Sequence, residues 1–335
     1  MSIRLGVAGV GRLGEIHVRL AKELEGAELV GVYDSDYERC EAIAEKYGVK
    51  AFSALEDLLA AIDGLCIVTP TTHHHQTGIA ALNAGVHCFI EKPIASTVAE
   101  GRELDQVAGQ NGLVVQVGHV ERFNPAFLAM KGRSPEPMFV EAHRLAQFSP
   151  RATDVAVVLD LMIHDVDLVL ALNNGQLPSE IRASGVAVAS DEIDIANARL
   201  EFPNGCVANL TASRISRNPM RKMRLFARDS YISLDFAAPA LEVISITDVD
   251  PDTAESAAGL LGAIELGTRN RKIGYDRPTI APVNAIQEEL RQFVGAIGGG
   301  EPPLVGAKQG IAALEVAEAI LEQIGAQTQR LIGAQ

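Results

Sequence analysis

Asp160 and His164 stand four residues apart in the apolar run 155–172, so on a helix they would share one face. Their neighbours Leu159, Leu161, Met162 and Ile163 are apolar, which predicts a largely buried segment. A buried Asp–His pair suits general-base chemistry: His164 would take the proton of a carbinol while Asp160 orients the ring and stabilises its charged form. The same two residues would equally serve as a paired core histidine. Asp165 and Asp167 are expected on the solvated side of that helix, and no metal site is expected, since no further shell of ligands accompanies His164, Asp165 and Asp167. A second candidate is Lys92 in Glu91-Lys92-Pro93, which closes a short apolar run. Beyond a strand end it would face a ligand crevice, with Pro93 biasing Lys92 towards an extended backbone. A solvated loop lysine is the plainer alternative.

Gly9-Val10-Gly11-Arg12-Leu13-Gly14 follows an apolar strand pattern and opens a helical one. In that setting Gly9 permits a tight turn, Gly11 lets backbone approach a pyrophosphate, and Gly14 allows close helix–strand packing. The helix start, at Arg12 and Leu13, offers N–H groups to phosphates. Asp34 lies twenty residues past Gly14, at the end of the second strand pattern. A carboxylate there accepts hydrogen bonds from ribose hydroxyls and repels a 2′-phosphate, so the expected cofactor is NAD rather than NADP. Asp36 adds to that repulsion.

These groups must be held by elements of two kinds. Residues 1–118 alternate strand patterns (3–8, 29–34, 65–69, 87–90, 113–117) with helical ones, which predicts βαβ units and a doubly wound parallel sheet. After about residue 120 the pattern changes. The helix over 155–172 precedes strand patterns at 181–189, 195–202, 206–212, 220–227, 231–236 and 241–246, with a hairpin at Pro203-Asn204-Gly205. The expected fold class is therefore α/β, a Rossmann domain over 1–119 and a second α/β domain over 120–335 with an open, mostly antiparallel sheet. Residues 248–282 show no period and are expected to be irregular; helices at 283–296 and 309–324 close the chain.

The chain has 335 residues, 47% of them hydrophobic, enough for two cores. Its formal net charge of −14 argues against nucleic acid or a membrane surface as a general partner. Against that acidic background, Arg214, Arg217, Arg221, Lys222 and Arg224 follow one another with no acid among them. Such a cluster suits the diphosphate of a nucleotide sugar, or simply guards an edge strand. The four cysteines form no CxxC pair, apolar runs are too short for a bilayer, and no signal peptide is expected, which places the protein in the cytoplasm.

Together the glycine motif, Glu91-Lys92-Pro93 and Asp160-Leu-Met-Ile-His164-Asp165 resemble the glucose–fructose oxidoreductase/inositol dehydrogenase/MocA-like (Gfo/Idh/MocA) family over nearly the whole chain. The resemblance implies an NAD-dependent oxidoreductase acting on a CH–OH group, with Lys92, Asp160 and His164 catalytic. It implies that Thr69, Pro70 and His74 lie on the nicotinamide side and that Glu91 and Lys92 border the cofactor. It also implies a homo-dimer or homo-tetramer. A narrower resemblance runs through 117–125 and through 154–161, from Asp154 to Leu161. It is to the UDP-N-acetylglucosamine 3-dehydrogenases of this family. It implies oxidation at C3 of a UDP-N-acetylhexosamine, with Arg122, Asn124, Arg214 and Arg217 as candidate substrate contacts. The alternatives are another small substrate such as an inositol or free sugar, and a non-catalytic NAD-binding sensor.

Overall fold

The computed structural model describes residues 2–133, 135–149, 155–248, 260–266 and 269–333, so Asp154 lies outside the described residues. The chain divides into two compact units, Met1–Phe123 with Asn284–Glu315, and Asn124–Val283 with Val316–Gln335.

The first unit alternates strand and helix: β1 (Ile3–Ala8), α1 (Arg12–Lys22), β2 (Ala27–Tyr33), α2 (Tyr37–Tyr47), β3 (Lys50–Phe52), α3 (Leu55–Leu59), β4 (Gly64–Ile67), α4 (His74–Asn83), β5 (His87–Glu91), α5 (Val98–Asn111) and β6 (Val115–Gly118). Its six strands are all parallel, in the order β3-β2-β1-β4-β5-β6. The order reverses between β1 and β4, and ligands of such sheets bind beyond the carboxyl ends of the strands at that switch point. Leu5, Val7, Leu65, Ile67, Phe89 and Ile90 are fully buried, as a sheet covered on both faces requires. β3 escapes a reading by alternation because it is only three residues long. Residues 284–315, expected in the second domain, belong to this unit. The helix α8 (Ala285–Ile297) places Leu290, Phe293 and Val294 in its core, with the Phe293 ring edge-on to Phe89 at 6.0 Å.

The second unit begins with the short α6 (Pro125–Leu128) and β7 (Phe139–Leu145). A π-helical turn (Val158–Met162) then runs into α7 (Ile163–Leu172). The strands β8 (Glu180–Val186), β9 (Ile195–Glu201), β10 (Val207–Ser213), β11 (Met220–Phe226), β12 (Ser230–Asp235), β13 (Ala240–Asp248), β14 (Leu260–Leu266) and β15 (Arg269–Asp276) follow. They join β7 in one sheet ordered β14-β15-β13-β12-β11-β7-β10-β9-β8. Only the β7–β10 pair is parallel; the other neighbours are antiparallel. Alternation shows in burial: β9 turns Ala196, Ala198 and Leu200 inward and β10 turns Ala208, Leu210 and Ala212 inward. The last helix, α9 (Ala307–Gly333), runs from the first unit's residues into the second's. Among the described residues no helix is long and apolar enough to cross a membrane.

The structure departs from the sequence expectations at further points. The strand β7 was not foreseen because its inward positions are Val140, Ala142 and Arg144, so a charge interrupts the apolar alternation. The stretch 248–282 is not irregular throughout, since it carries β14, whose apolar residues follow one another without strict alternation around Gly262, and β15, which is mostly polar; 249–259 and 267–268 lie outside the described residues. Asp165 and Asp167 are buried, 3% and 1% exposed, rather than solvated. Arg144 meets Asp165 inside the fold in a two-pronged ion pair, with Nε donating at 3.0 Å and Nη2 at 2.8 Å.

Arg214, expected to touch substrate, is also buried, at 4% exposed. Its Nε donates to Asp194 Oδ1 at 2.7 Å, Nη2 to the Ser190 hydroxyl at 3.0 Å, and Nη1 to the Val155 carbonyl. Asp194 Oδ2 accepts the backbone N–H groups of Val188, Ala189 and Ser190. The basic run is otherwise divided by strand alternation. Lys222 pairs with Asp235 and Arg224 with Glu141 across the strands, while Arg217 and Arg221 are exposed. Burial pushes the Asp194 carboxyl up, but the N–H donors and the Arg214 guanidinium outweigh it and hold the group well below the usual carboxylate range. A depressed folded-state pKa means the ionised form stabilises the fold above the unfolded value of about 4. That contribution is lost as pH falls towards the folded value. Between about pH 5 and pH 3 the urea midpoint of Asp194→Asn should therefore fall less than that of the unaltered protein; equal falls would contradict this. Arg214→Ala should cost roughly 3–5 kcal/mol by leaving a buried charge unpaired, and Arg217→Ala less than about 0.5 kcal/mol.

Candidate active site

The glycine turn leaves β1 at Gly9, whose φ of +86° favours glycine. A Cβ at Gly9 would lie 2.7 Å from the Thr69 nitrogen, and one at Gly14 would lie 1.9 Å from the Gly9 carbonyl oxygen. Both positions therefore exclude side chains. A Cβ at Gly11 would meet nothing within 4 Å, so the second glycine borders open space. No side chain caps α1 at Gly11, and Arg12 and Leu13 are exposed at its first turn. An uncapped helix start beside open space suits a pyrophosphate.

Asp34 sits just past β2, 8% exposed. Its Oδ2 accepts the Val10 N–H at 2.8 Å and its Oδ1 the Asp36 N–H at 2.9 Å. One carboxylate thus braces the glycine turn and closes the loop after β2, where ribose hydroxyls would reach it. Arg39 stands beside it, 3.6 Å from Asp34 Oδ1 and 2.8 Å from Asp36 Oδ2. Arg39 is five residues beyond Asp34 in sequence, and the first turn of α2 brings it back beside the carboxylate.

Thr69 and Pro70 follow β4 at the switch point. The Thr69 hydroxyl is buried and has no hydrogen-bond partner among the described residues. An orphaned donor beside Gly9 fits a bound dinucleotide, because buried polar groups are ordinarily satisfied. His74 is 1% exposed, its Nδ1 2.8 Å from the Pro93 carbonyl and its Nε2 2.9 Å from the Thr69 carbonyl. The ring is an internal strut joining the loop after β4 to the loop after β5. Burial pushes its pKa down, against the pull of the two carbonyls.

Lys92 is half-buried just beyond β5, and its bond to Pro93 is cis. Glu91 turns its carboxylate into the unit: Oε1 is 2.8 Å from His17 Nε2, and Oε2 accepts the Lys92 N–H at 3.3 Å. Burial raises the Glu91 pKa, but His17 and Lys92 more than offset this, so it lies below the ordinary carboxylate value. His17, on α1, was not singled out from sequence. Its signal is a polar residue among Gly14, Val18, Leu20 and Ala21 on the buried face of an amphipathic helix.

Arg122 is buried in a 3-10 turn, Val120–Phe123, that ends the first unit. Asn124 opens the second unit as the N-cap of α6. Its Oδ1 accepts the Ala126 N–H at 3.0 Å and its Nδ2 donates to the Phe236 carbonyl at 3.2 Å. Both ends of that side chain are therefore used within the fold. Asp160 lies on the π-helical turn and His164 one residue into α7. Both are half-buried, while Met162, Ile163, Asp165 and Val166 around them are buried. The two titratable groups thus belong, with Leu159 and Leu161, to the half-buried part of a segment that is otherwise buried from 156 to 170, and π-helical insertions often mark functional sites.

Asp34→Ala should shift the ratio of NADP to NAD affinity by about tenfold or more towards NADP. The repelling carboxylate is gone and Arg39 remains to meet a 2′-phosphate. Titration of both cofactors against the purified variant checks this; an unchanged ratio would remove Asp34 from ribose recognition.

Residues 3–119 match the model of an oxidoreductase family with an NAD-binding Rossmann fold, and residues 128–232 match the GFO/IDH/MocA C-terminal domain. The chain is 38% identical over 302 residues to the UDP-N-acetylglucosamine 3-dehydrogenase of Acidithiobacillus ferrooxidans, covering 90% of each chain. A solved structure of that enzyme superposes with a TM-score of 0.86, at 34% identity, over 97% of this chain and 99% of that one. The scyllo-inositol 2-dehydrogenase (NAD(+)) of Bacillus subtilis is 30% identical over 234 residues, covering 64% of this chain and 68% of its own. With both of its domain models matched in order, this chain belongs to the Gfo/Idh/MocA family of NAD-binding oxidoreductases.

Proposed function

We propose that this oxidoreductase oxidises the C3 carbinol of a UDP-N-acetylhexosamine to a ketone, with NAD as the hydride acceptor. The observation that carries the chemistry is the pair Asp160 and His164, half-buried within an otherwise buried segment. The relative of 38% identity, which carries that substrate in its name, supports the choice of sugar.

The orphaned Thr69 hydroxyl, the Gly9–Gly14 turn and Asp34 would hold the dinucleotide, whose nicotinamide C4 accepts a hydride when bound. His164 takes the proton of the reacting hydroxyl, and Asp160 orients the ring and stabilises its charged form. Lys92 is the cation that the family resemblance makes catalytic, suited to stabilise negative charge developing on a reacting oxygen. Glu91, His17 and His74 touch none of the reacting atoms; they fix the loops that carry Thr69 and Lys92. Of the basic cluster, exposed Arg217 and Arg221 remain able to meet a diphosphate, whereas Arg214 is committed to Asp194. Arg122 stays a candidate contact.

The reading includes a cytoplasmic, self-associating protein. Four buried free thiols suit a reducing compartment. On the outer sheet face, Phe139, Phe226 and Tyr231 form a row of tilted rings with centroids 5.9 and 5.1 Å apart, an apolar stripe that suits a second copy.

The test is absorbance at 340 nm with NAD and UDP-N-acetylglucosamine, with and without 2-oxoglutarate as reoxidant. Growth of NADH, or turnover only with the oxo acid, is expected. Silence in both with NADH formed from scyllo-inositol would favour a polyol dehydrogenase, the reading suggested by the Bacillus subtilis relative. His164→Ala should lower turnover roughly 10²- to 10⁴-fold with little change in NAD affinity. Near-full activity would remove His164 from the mechanism.

A further inference from the structure

Arg144 and Asp165 form a buried ion pair, 2% and 3% exposed, that the proposed chemistry does not use. Asp165 directly follows His164, and both its oxygens are bound by one guanidinium from the neighbouring strand β7. The Arg144 guanidinium also lies 6.0 Å from the centre of the Phe236 ring. The pair therefore fixes the rotation of α7 at its first turn, where the π-helical turn has just changed the phase of the helix. It also places a paired carboxylate and guanidinium one residue from His164 in the chain. On the elements packed against α7 in this unit, Asp160 stands on the π turn and Arg144 at an inward position of β7, while the other titratable groups of β7, Glu141 and His143, occupy the alternate, half-buried positions of that strand. On α7 itself stand Asp165 and Asp167. The third neighbour, β10, turns Ala208, Leu210 and Ala212 inward.

We infer that Arg144 and Asp165 are positioning residues for His164, which hold its ring in place and keep the charge next to it balanced. This rests on the reading of His164 as the base only for its meaning in catalysis, since the pair's effect on the ring is measurable without substrate. With both partners present their charges cancel near the imidazole. Removing Arg144 leaves a carboxylate that favours the imidazolium, whereas removing Asp165 leaves a guanidinium that disfavours it. Opposite shifts from the two halves of one pair are a signature that loss of packing does not produce.

The experiment is a histidine-selective carbon-13 NMR titration of the full chain, with the His164 resonance assigned by its loss in His164→Asn. Arg144→Gln should raise the His164 pKa by about one unit and Asp165→Asn should lower it by a similar amount. The double variant should return it near its original value, and Arg144→Lys, which keeps the charge, should leave it in place. Shifts of the same sign, or no shift in either single variant, would overturn the inference. If Arg144→Gln does not fold, Asp165→Asn and the double variant decide: a lowered value restored in the double supports the pairing, and an unmoved value overturns it. Turnover of His164→Asn separates the two ideas. Full activity there sinks the base reading while the titration still judges the pair.

Discussion

A buried hydrogen bond between the His17 imidazole and the Glu91 carboxylate ties the first unit's site together. His17 stands on the helix that the glycine turn opens, and Glu91 ends the strand that delivers Lys92. The glycine turn and the lysine therefore cannot move independently without exposing or unpairing a charge in the core. The other bonds of this unit extend the same brace. Asp34 holds the Val10 N–H, and His74 joins the carbonyl of Thr69 to that of Pro93. Each links loops at the carboxyl ends of adjacent parallel strands, the place where such a sheet leaves backbone free to meet a ligand.

The second unit solves a related problem with two buried ion pairs. Arg214, paired with Asp194, donates to the Val155 carbonyl, and the Val157 N–H bonds to Ile193. Arg144 grips Asp165 ten residues later in the chain. Asp160 and His164 lie between these two anchor points, on a segment whose π-helical geometry is less favourable than an α-helix and needs holding from outside. Buried pairs of this kind add little net stability by themselves, but losing one partner is costly. Their placement suits the need to keep two half-buried polar groups in one pose.

Much of this was legible in the chain. The glycine motif, the acid twenty residues on and the alternation of strand and helix indicated the parallel sheet and its cofactor, because local sterics and period dictate them. Asp160 and His164 stood out as polar residues in an apolar run. What stayed hidden depends on contacts distant in sequence. Nothing local reveals that Arg214 would pair with Asp194 twenty residues back, or that Arg144 would turn inward to Asp165. By sequence Arg214 reads as a candidate substrate contact within a basic cluster, and the exposed face of that cluster is smaller than the sequence suggests because Arg214 is buried. His17 was missed for the same reason, since its partner Glu91 is 74 residues away. The strand pair β14 and β15 lacks an apolar period, and its pairing rests on the sheet edge already formed by β13.

Hydride transfer from one defined carbon of the sugar can be followed with UDP-N-acetylglucosamine deuterated at C3, incubated with the protein and NAD, and mass spectrometry of both products. Deuterium at the nicotinamide C4 of NADH, with loss of the label from the sugar, is the predicted result. NADH that forms without deuterium while the sugar keeps its label at C3 would contradict the claim and move the oxidation to another position.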